Sequence, residues 1–188
     1  MLREYCIDKR RIYATGKSDG AGFDNVLACD PLLSRRIAAF APVSGAFYVD
    51  TLPCKPSTVT IPCNPGRDNI PMLEFHGGID ATIRYGGGKR KGECLPSIPH
   101  WIQEWALRDN LGLENSTSDL STDSFVIMFG EGEREGLVTH VFDPNIGHDW
   151  PSTVPNSDSE LDGDPVASFN ATPIIMAFFE NHRLDLDS

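Results

Sequence analysis

Three side chains that together can carry acyl transfer stand far apart along the chain: Ser18, Asp80 and His148. Ser18 lies within Gly16-Lys17-Ser18-Asp19-Gly20, which fits the G-x-S-x-G spacing of a serine on a sharp strand-to-helix turn. A serine hydroxyl of ordinary pKa is a poor nucleophile, so it needs a neighbouring base to take its proton as it attacks a carbonyl. Imidazole serves when a carboxylate fixes its tautomer and stabilises the imidazolium. The oxyanion formed by that attack needs a donor, and the backbone N–H of Asp19, just after the serine, has the right place for one.

Elements must bring these groups together. Arg11-Ile12-Tyr13-Ala14 reads as a short strand before the turn, and Phe23 to Cys29 as a helix after it. Gly16 and Gly20 are expected where a side chain would strike neighbouring backbone, and Gly20 and Gly22 where the helix packs closely on the sheet. The helix N-terminus adds partial positive charge at the turn. Ile37–Val43 and Ile70–His76 are continuous apolar runs, the pattern of strands buried on both faces of a parallel sheet. Asp80 follows the second of them. Phe125–Phe129 and Leu137–Phe142 read as a hairpin whose second strand leads to His148.

The fold class is therefore α/β: a mostly parallel sheet with flanking helices and a site along its carboxyl edge. The order serine, acid, histidine is that of α/β-hydrolases. Rival residues are weaker by position. His76 lies on or beside a buried strand and suits packing or support of the Asp80 turn; His140 falls inside a strand, and His100 and His182 fall on predicted helices. Asp50, after the first apolar run, is the alternative acid, and Asp149 is awkwardly adjacent to His148.

Between these landmarks, residues 46–69 read as a long loop bordering the site, and Gly86–Gly92 as a basic surface loop, its glycines out of order for a phosphate-binding turn. Ile98, Trp101, Ile102 and Trp105 have helical spacing over about 98–111, with the tryptophans as core. Ser116–Asp123 reads as a turn and 152–165 as a mobile segment. Thr172 is expected to cap a last helix, with Pro173 at its first position.

The 188 residues, 40% hydrophobic, suffice for one domain spanning 1–188. A net charge of −11 argues against nucleic acid and anionic membrane as partners, and no apolar run is long enough for a membrane span. The chain opens without a signal-peptide pattern. Five cysteines without metal-ligand spacing suggest disulfides: Cys6 with Cys29, and Cys54 and Cys63 with each other or one of them with Cys94. With the sequons at Asn115 and Asn170 they favour export and glycosylation. No metal or other cofactor is expected, and the chain is expected to be a monomer.

Thr15–Gly20, Ala38–Gly45, Phe75–Asp80, Pro99–Trp101 and Gly147–Pro151, taken in order, resemble the fungal feruloyl esterases of carbohydrate esterase family one. The resemblance implies a secreted, cofactor-free serine esterase of plant cell walls. It would cleave ferulate, a hydroxycinnamate, from feruloylated arabinoxylan through an acyl-enzyme. By motif, nucleophile, acid and base fall on Ser18, Asp80 and His148. Related members act on acetyl xylan or polyhydroxybutyrate, which keeps those acyl groups open. Such proteins carry a signal peptide and several strands ahead of the elbow, which here begins almost at Met1. The expectation is thus a partial α/β-hydrolase domain lacking early strands, a second oxyanion donor and a cysteine partner. A non-catalytic remnant is the reading from another class.

Overall fold

The apolar runs near 37–43 and 70–76 form the buried middle of one sheet, and the rest of the chain is arranged about them. The computed structural model describes residues 5–185. Its elements in chain order are β1 (Tyr13–Lys17), α1 (Asp19–Cys29), β2 (Ala39–Val43), β3 (Met72–Gly77), β4 (Gly88–Arg90), β5 (Glu93–Leu95), α2 (Ile98–Arg108), β6 (Asn115–Asp119), β7 (Phe125–Phe129), β8 (Val138–Asp143), α3 (Ser157–Asp162) and α4 (Ala171–Asn181). The main sheet has the order β1-β2-β3-β8-β7-β6. Its first four strands are parallel, and β7 and β6 add antiparallel. The architecture is α/β.

Strand alternation divides the core. Phe40, Met72 and Val138 point to one face, which α1 and α2 cover with Trp101 and Trp105 wholly buried. Asn25 of α1 accepts from both indole N–H groups, at 3.1 and 3.2 Å, so the two helices share a polar tie inside an apolar layer. Ala41, Leu73, Phe75 and Val141 point to the other face, against Ile175 and Phe179 of α4. Every residue of β2 and β3 is buried, as a two-sided cover requires. β1, at the end of the sheet, is only partly covered.

Several expectations are corrected. The basic stretch 86–92 is not simply a loop, because β4 pairs with β5 in a small antiparallel hairpin. The polar run at 116–123 contains most of β6, whose exposed residues pair with β7 at the far edge. Within 152–165 stands α3, where Asn156 accepts from the N–H groups of Asp158 and Ser159. The last helix has Asn170, not Thr172, at its N-cap position and no side-chain cap bond, so Pro173 is its third residue and not its first; the Thr172 hydroxyl instead accepts from the Trp150 indole at 3.0 Å. The helix read over 98–111 ends at Arg108.

The cysteines pair as Cys29–Cys63 and Cys54–Cys94. Cys6 is not bonded to Cys29; it is free and exposed, and Cys29 is taken by Cys63 of the 46–69 loop. The loop is thus stapled to α1 at one end and to β5 at the other. Asn115 and Asn170 of the sequons are both exposed. No helix among the described residues is long and apolar enough to cross a membrane.

Candidate active site

Ser18 occupies the junction of β1 and α1 with φ 58° and ψ −120°, a backbone region that costs a non-glycine residue about 1–3 kcal/mol. Its backbone is fixed on both sides. The N–H donates to the Val43 carbonyl at 3.0 Å, and the carbonyl accepts from Gly22 and Ala46, each at 3.0 Å. A side chain at Gly16 would put its Cβ 2.7 Å from the Gly20 backbone carbon, and one at Gly22 would meet the Ala46 carbonyl oxygen at 2.3 Å. Gly20 differs from expectation: a Cβ there meets nothing, so its backbone serves as the wall against which Gly16 packs. Asp19 opens α1, with its backbone N–H at the helix N-terminus and its exposed carboxylate 3.5 Å from Lys91 Nζ.

Beneath this turn lies Asp24 of α1. It is 4% exposed and its Oδ2 is buried without a partner. Burial pushes its carboxyl up to about 7, against a partial offset from the Gly16 N–H.

Asp80 follows β3 on a tight turn. Its Oδ1 accepts from the N–H groups of Thr82 at 2.8 Å and Ile83 at 2.6 Å, and its Oδ2 lies 2.8 Å from His148 Nδ1. His76 Nε2 stands 3.4 Å from the same Oδ2. Burial works against the charged carboxylate, but the bonds from His148 and His76 outweigh it and hold Asp80 well below the usual carboxylate range. His148, beyond β8, is 8% exposed. Its Nδ1 faces a carboxylate and therefore carries the proton, which leaves Nε2 with a lone pair; the tautomer is assigned from its partner.

The loops that carry Ser18 and His148 leave the carboxyl edge of the sheet after β1 and β8, with β2 and β3 between those strands. The Ser44 hydroxyl, two residues before the Ala46 N–H that binds Ser18, donates to the Asp149 carbonyl at 3.1 Å. Lys17 Nζ lies 2.9 Å from Asp158 Oδ2, which also accepts from the Trp150 N–H at 3.2 Å. Two short links therefore join the residues flanking the serine to those flanking the histidine.

The rivals stand elsewhere. Asp50 is exposed within the 46–69 loop. Asp149 is buried, with neither side-chain oxygen partnered, and burial followed by the nearby charge of Asp164 pushes its carboxyl up. His100 bonds the Val59 carbonyl at 2.8 Å, and His182 packs against Phe178. His76 supports the Asp80 turn, accounting for its place beside the strand.

Glu74 escaped the sequence reading. It is fully buried in β3, with Oε1 2.8 Å from His76 Nδ1 and Oε2 2.7 Å from His140 Nδ1, the latter a close approach outside hydrogen-bond geometry. The Tyr85 hydroxyl lies 3.2 Å from His140 Nε2. The signal was there: a carboxylate inside an otherwise apolar strand is tolerated only with partners. Among the described residues no group of three or more His, Cys, Asp or Glu side chains is arranged to hold a metal ion.

Fold and site together define an α/β protein with a carboxylate–imidazole pair at the carboxyl edge of its sheet. No family model matches the sequence. Over 83 residues, 44% of the chain, it is 39% identical to feruloyl esterase B of Piromyces equi, and that match spans 14% of the relative's length.

Proposed function

We propose that the chain is a serine carboxylic ester hydrolase with the α/β-hydrolase arrangement, and that its substrates are hydroxycinnamate esters, chiefly ferulate on arabinoxylan. The observation that carries this is the 2.8 Å contact between His148 Nδ1 and Asp80 Oδ2, on the edge where Ser18 sits at a strained strand-to-helix turn. The partial likeness to a feruloyl esterase supports ester chemistry and supplies the acyl group. Two disulfides suit a secreted protein.

In this reading His148 Nε2 takes the Ser18 proton as Oγ attacks the ester carbonyl, while Asp80 stabilises the imidazolium. The Asp19 N–H, at the positive end of α1, donates to the developing oxyanion. The protonated imidazole then gives its proton to the leaving alcohol oxygen. Water, deprotonated by the same imidazole, attacks the acyl-enzyme to release the acid and restore Ser18.

Methyl ferulate hydrolysis by the purified protein tests the proposal. Ser18→Ala is expected to lower kcat on the order of ten-thousand-fold or more. Equal rates for the two proteins would remove Ser18 from the chemistry and leave a non-catalytic binding protein. Comparing ferulate, acetate and hydroxybutyrate esters decides the acyl preference.

A further inference from the structure

The hydrogen-bond partners of His76 decide its charge. Nδ1 faces Glu74 Oε1 at 2.8 Å, and Nε2 faces the Ile83 carbonyl oxygen at 2.8 Å with Asp80 Oδ2 at 3.4 Å. The Ile83 carbonyl can only accept, and Glu74 and Asp80 only accept as carboxylates; with both acids ionised a neutral ring would turn a lone pair against an oxygen, so both nitrogens donate. Asp80 shows the complementary pattern, with three hydrogen bonds to its two oxygens and the His76 ring nitrogen at 3.4 Å from Oδ2. Glu74, His76 and Asp80 are all deeply buried, and charges so placed persist only when paired.

We infer that Glu74 and His76 form a buried ion pair that positions Asp80: the His76 imidazolium sits against Asp80 Oδ2 and keeps that carboxylate charged and turned toward His148. This rests on reading Asp80 and His148 as acid and base. Glu74 supplies the charge that the imidazolium needs within the core, and His76 passes its effect to Asp80. Both are positioning residues, since neither touches Ser18.

The other titratable and charged groups around the pair are these. On β8, opposite Glu74, His140 faces Oε2; with Nδ1–H turned there, its Nε2 accepts from the Tyr85 hydroxyl. From the segment between β3 and β4, the Tyr85 ring lies 5.9 Å from that of His76. His148 approaches from beyond β8. α2 covers this face with tryptophans, and its own Glu104 and Arg108 pair with each other at 3.5 Å. Burial works to discharge His76, but the Glu74 charge, the bonds to Asp80 and Glu74, and the Ile83 carbonyl push it up to about 10.

Nitrogen NMR of the histidine rings tests this without needing turnover. In the wild-type protein the His76 ring is expected to keep both protons up to about pH 9, below its displaced value of about 10. In Glu74→Gln it is expected to lose one between about pH 6 and pH 9. A wild-type His76 ring that is singly protonated at neutral pH overturns the inference, whatever any variant does. Where the protein hydrolyses methyl ferulate, His76→Gln removes a cation that opposes proton uptake by the Asp80–His148 pair. The acid limb of kcat/KM should then move up by about one pH unit; a lower kcat with an unmoved limb also overturns it. An inactive wild type with a doubly protonated His76 ring speaks against the esterase reading alone.

Discussion

Asp80 and Ser18 sit at the carboxyl ends of two parallel strands of one sheet, yet they are secured by different means. Asp80 follows β3, which is buried throughout between β2 and β8, and its side chain is held by three hydrogen bonds and an ion-pair contact from His76. Ser18 follows β1, a partly exposed edge strand with β2 as its neighbour, and is held by three backbone hydrogen bonds and two close glycine approaches. The acid is therefore vulnerable to changes of charge, and the serine to added volume. A chain that must place a carboxylate and a hydroxyl at one rim can use electrostatics where it is buried and steric exclusion where it is not.

The comparison breaks most severely at Glu74. Glu74→Ala leaves His76 charged or unpaired inside the core and is expected to cost about 3–5 kcal/mol of unfolding free energy, read by urea denaturation at neutral pH. Loss under about 1 kcal/mol, the range of an exposed pair, would mean that Glu74 is not ionised against His76.

Next in size is the response to pH, which distinguishes the two sides. For Asp24, below the serine, the folded carboxyl titrates at about 7, whereas the unfolded one releases its proton from its ordinary value of 3.8. Over that interval the folded state holds the extra proton, so stability falls as pH rises. For His76 the unfolded ring gives up its proton near 6.5 and the folded ring near 10, so its contribution is complete below 6.5 and is lost as pH climbs toward 10. Asp80 acts oppositely: its depressed carboxyl contributes above 3.8, and that contribution goes as pH falls below it. Maximum stability is thus expected on the acid side of neutrality. Denaturation curves across pH should show Asp24→Asn flattening the decline below about 7 and Glu74→Gln flattening it above. A rise in stability from pH 6 to pH 9 would contradict both.

How much of this could be read from the chain depends on what each signal was made of. Apolar runs marked β2, β3 and β8, because burial on both faces leaves a continuous hydrophobic record; Ser18, Asp80 and His148 could be singled out because each follows such a run or a glycine-rich turn. β6 was invisible for the converse reason. Asn115-Ser116-Thr117-Ser118-Asp119 is polar and exposed at an edge, and its conformation comes from pairing with β7. The three-residue β4 and the six-residue α3 are set by local pairing and by the Asn156 cap, features too short for periodicity to register. The disulfides depended on how a loop without regular structure folds back. Glu74 was hidden within a pattern that looked like packing, although its charge was the clue.

On the serine side, Gly22→Ala is the counterpart of the Glu74 change. The new Cβ would stand 2.3 Å from the Ala46 carbonyl oxygen, and backbone must yield, which is expected to cost about 1–3 kcal/mol. The Ala46 N–H that fixes the Ser18 carbonyl would move with it, so ferulate-ester hydrolysis should fall while the NMR state of His76 stays unchanged. Gly20→Ala finds open space and should cost only what alanine loses or gains in a helix's first turn. Equal losses for the two variants would show that steric exclusion is not what holds the turn.

The smallest expected effect concerns the bridge between the sides. Lys17 and Asp158 meet at 2.9 Å with side chains about a quarter exposed, at 23% and 28%, so the pair contributes roughly 0–1 kcal/mol to stability. Its place matters more than its strength. Lys17 adjoins Ser18, and Asp158 also binds the Trp150 N–H two residues beyond His148. Asp158→Asn can keep the bond to Trp150 and lose the ion pair. Melting should barely change, while kcat/KM for methyl ferulate drops about two- to fivefold at low salt and the difference from wild type narrows as salt screens the pair. A salt-independent loss would assign the effect to α3 packing, and no loss would leave the register of the two sides to the Ser44–Asp149 bond and the Ala46–Ser18 bond, both of which lie deeper in the same edge.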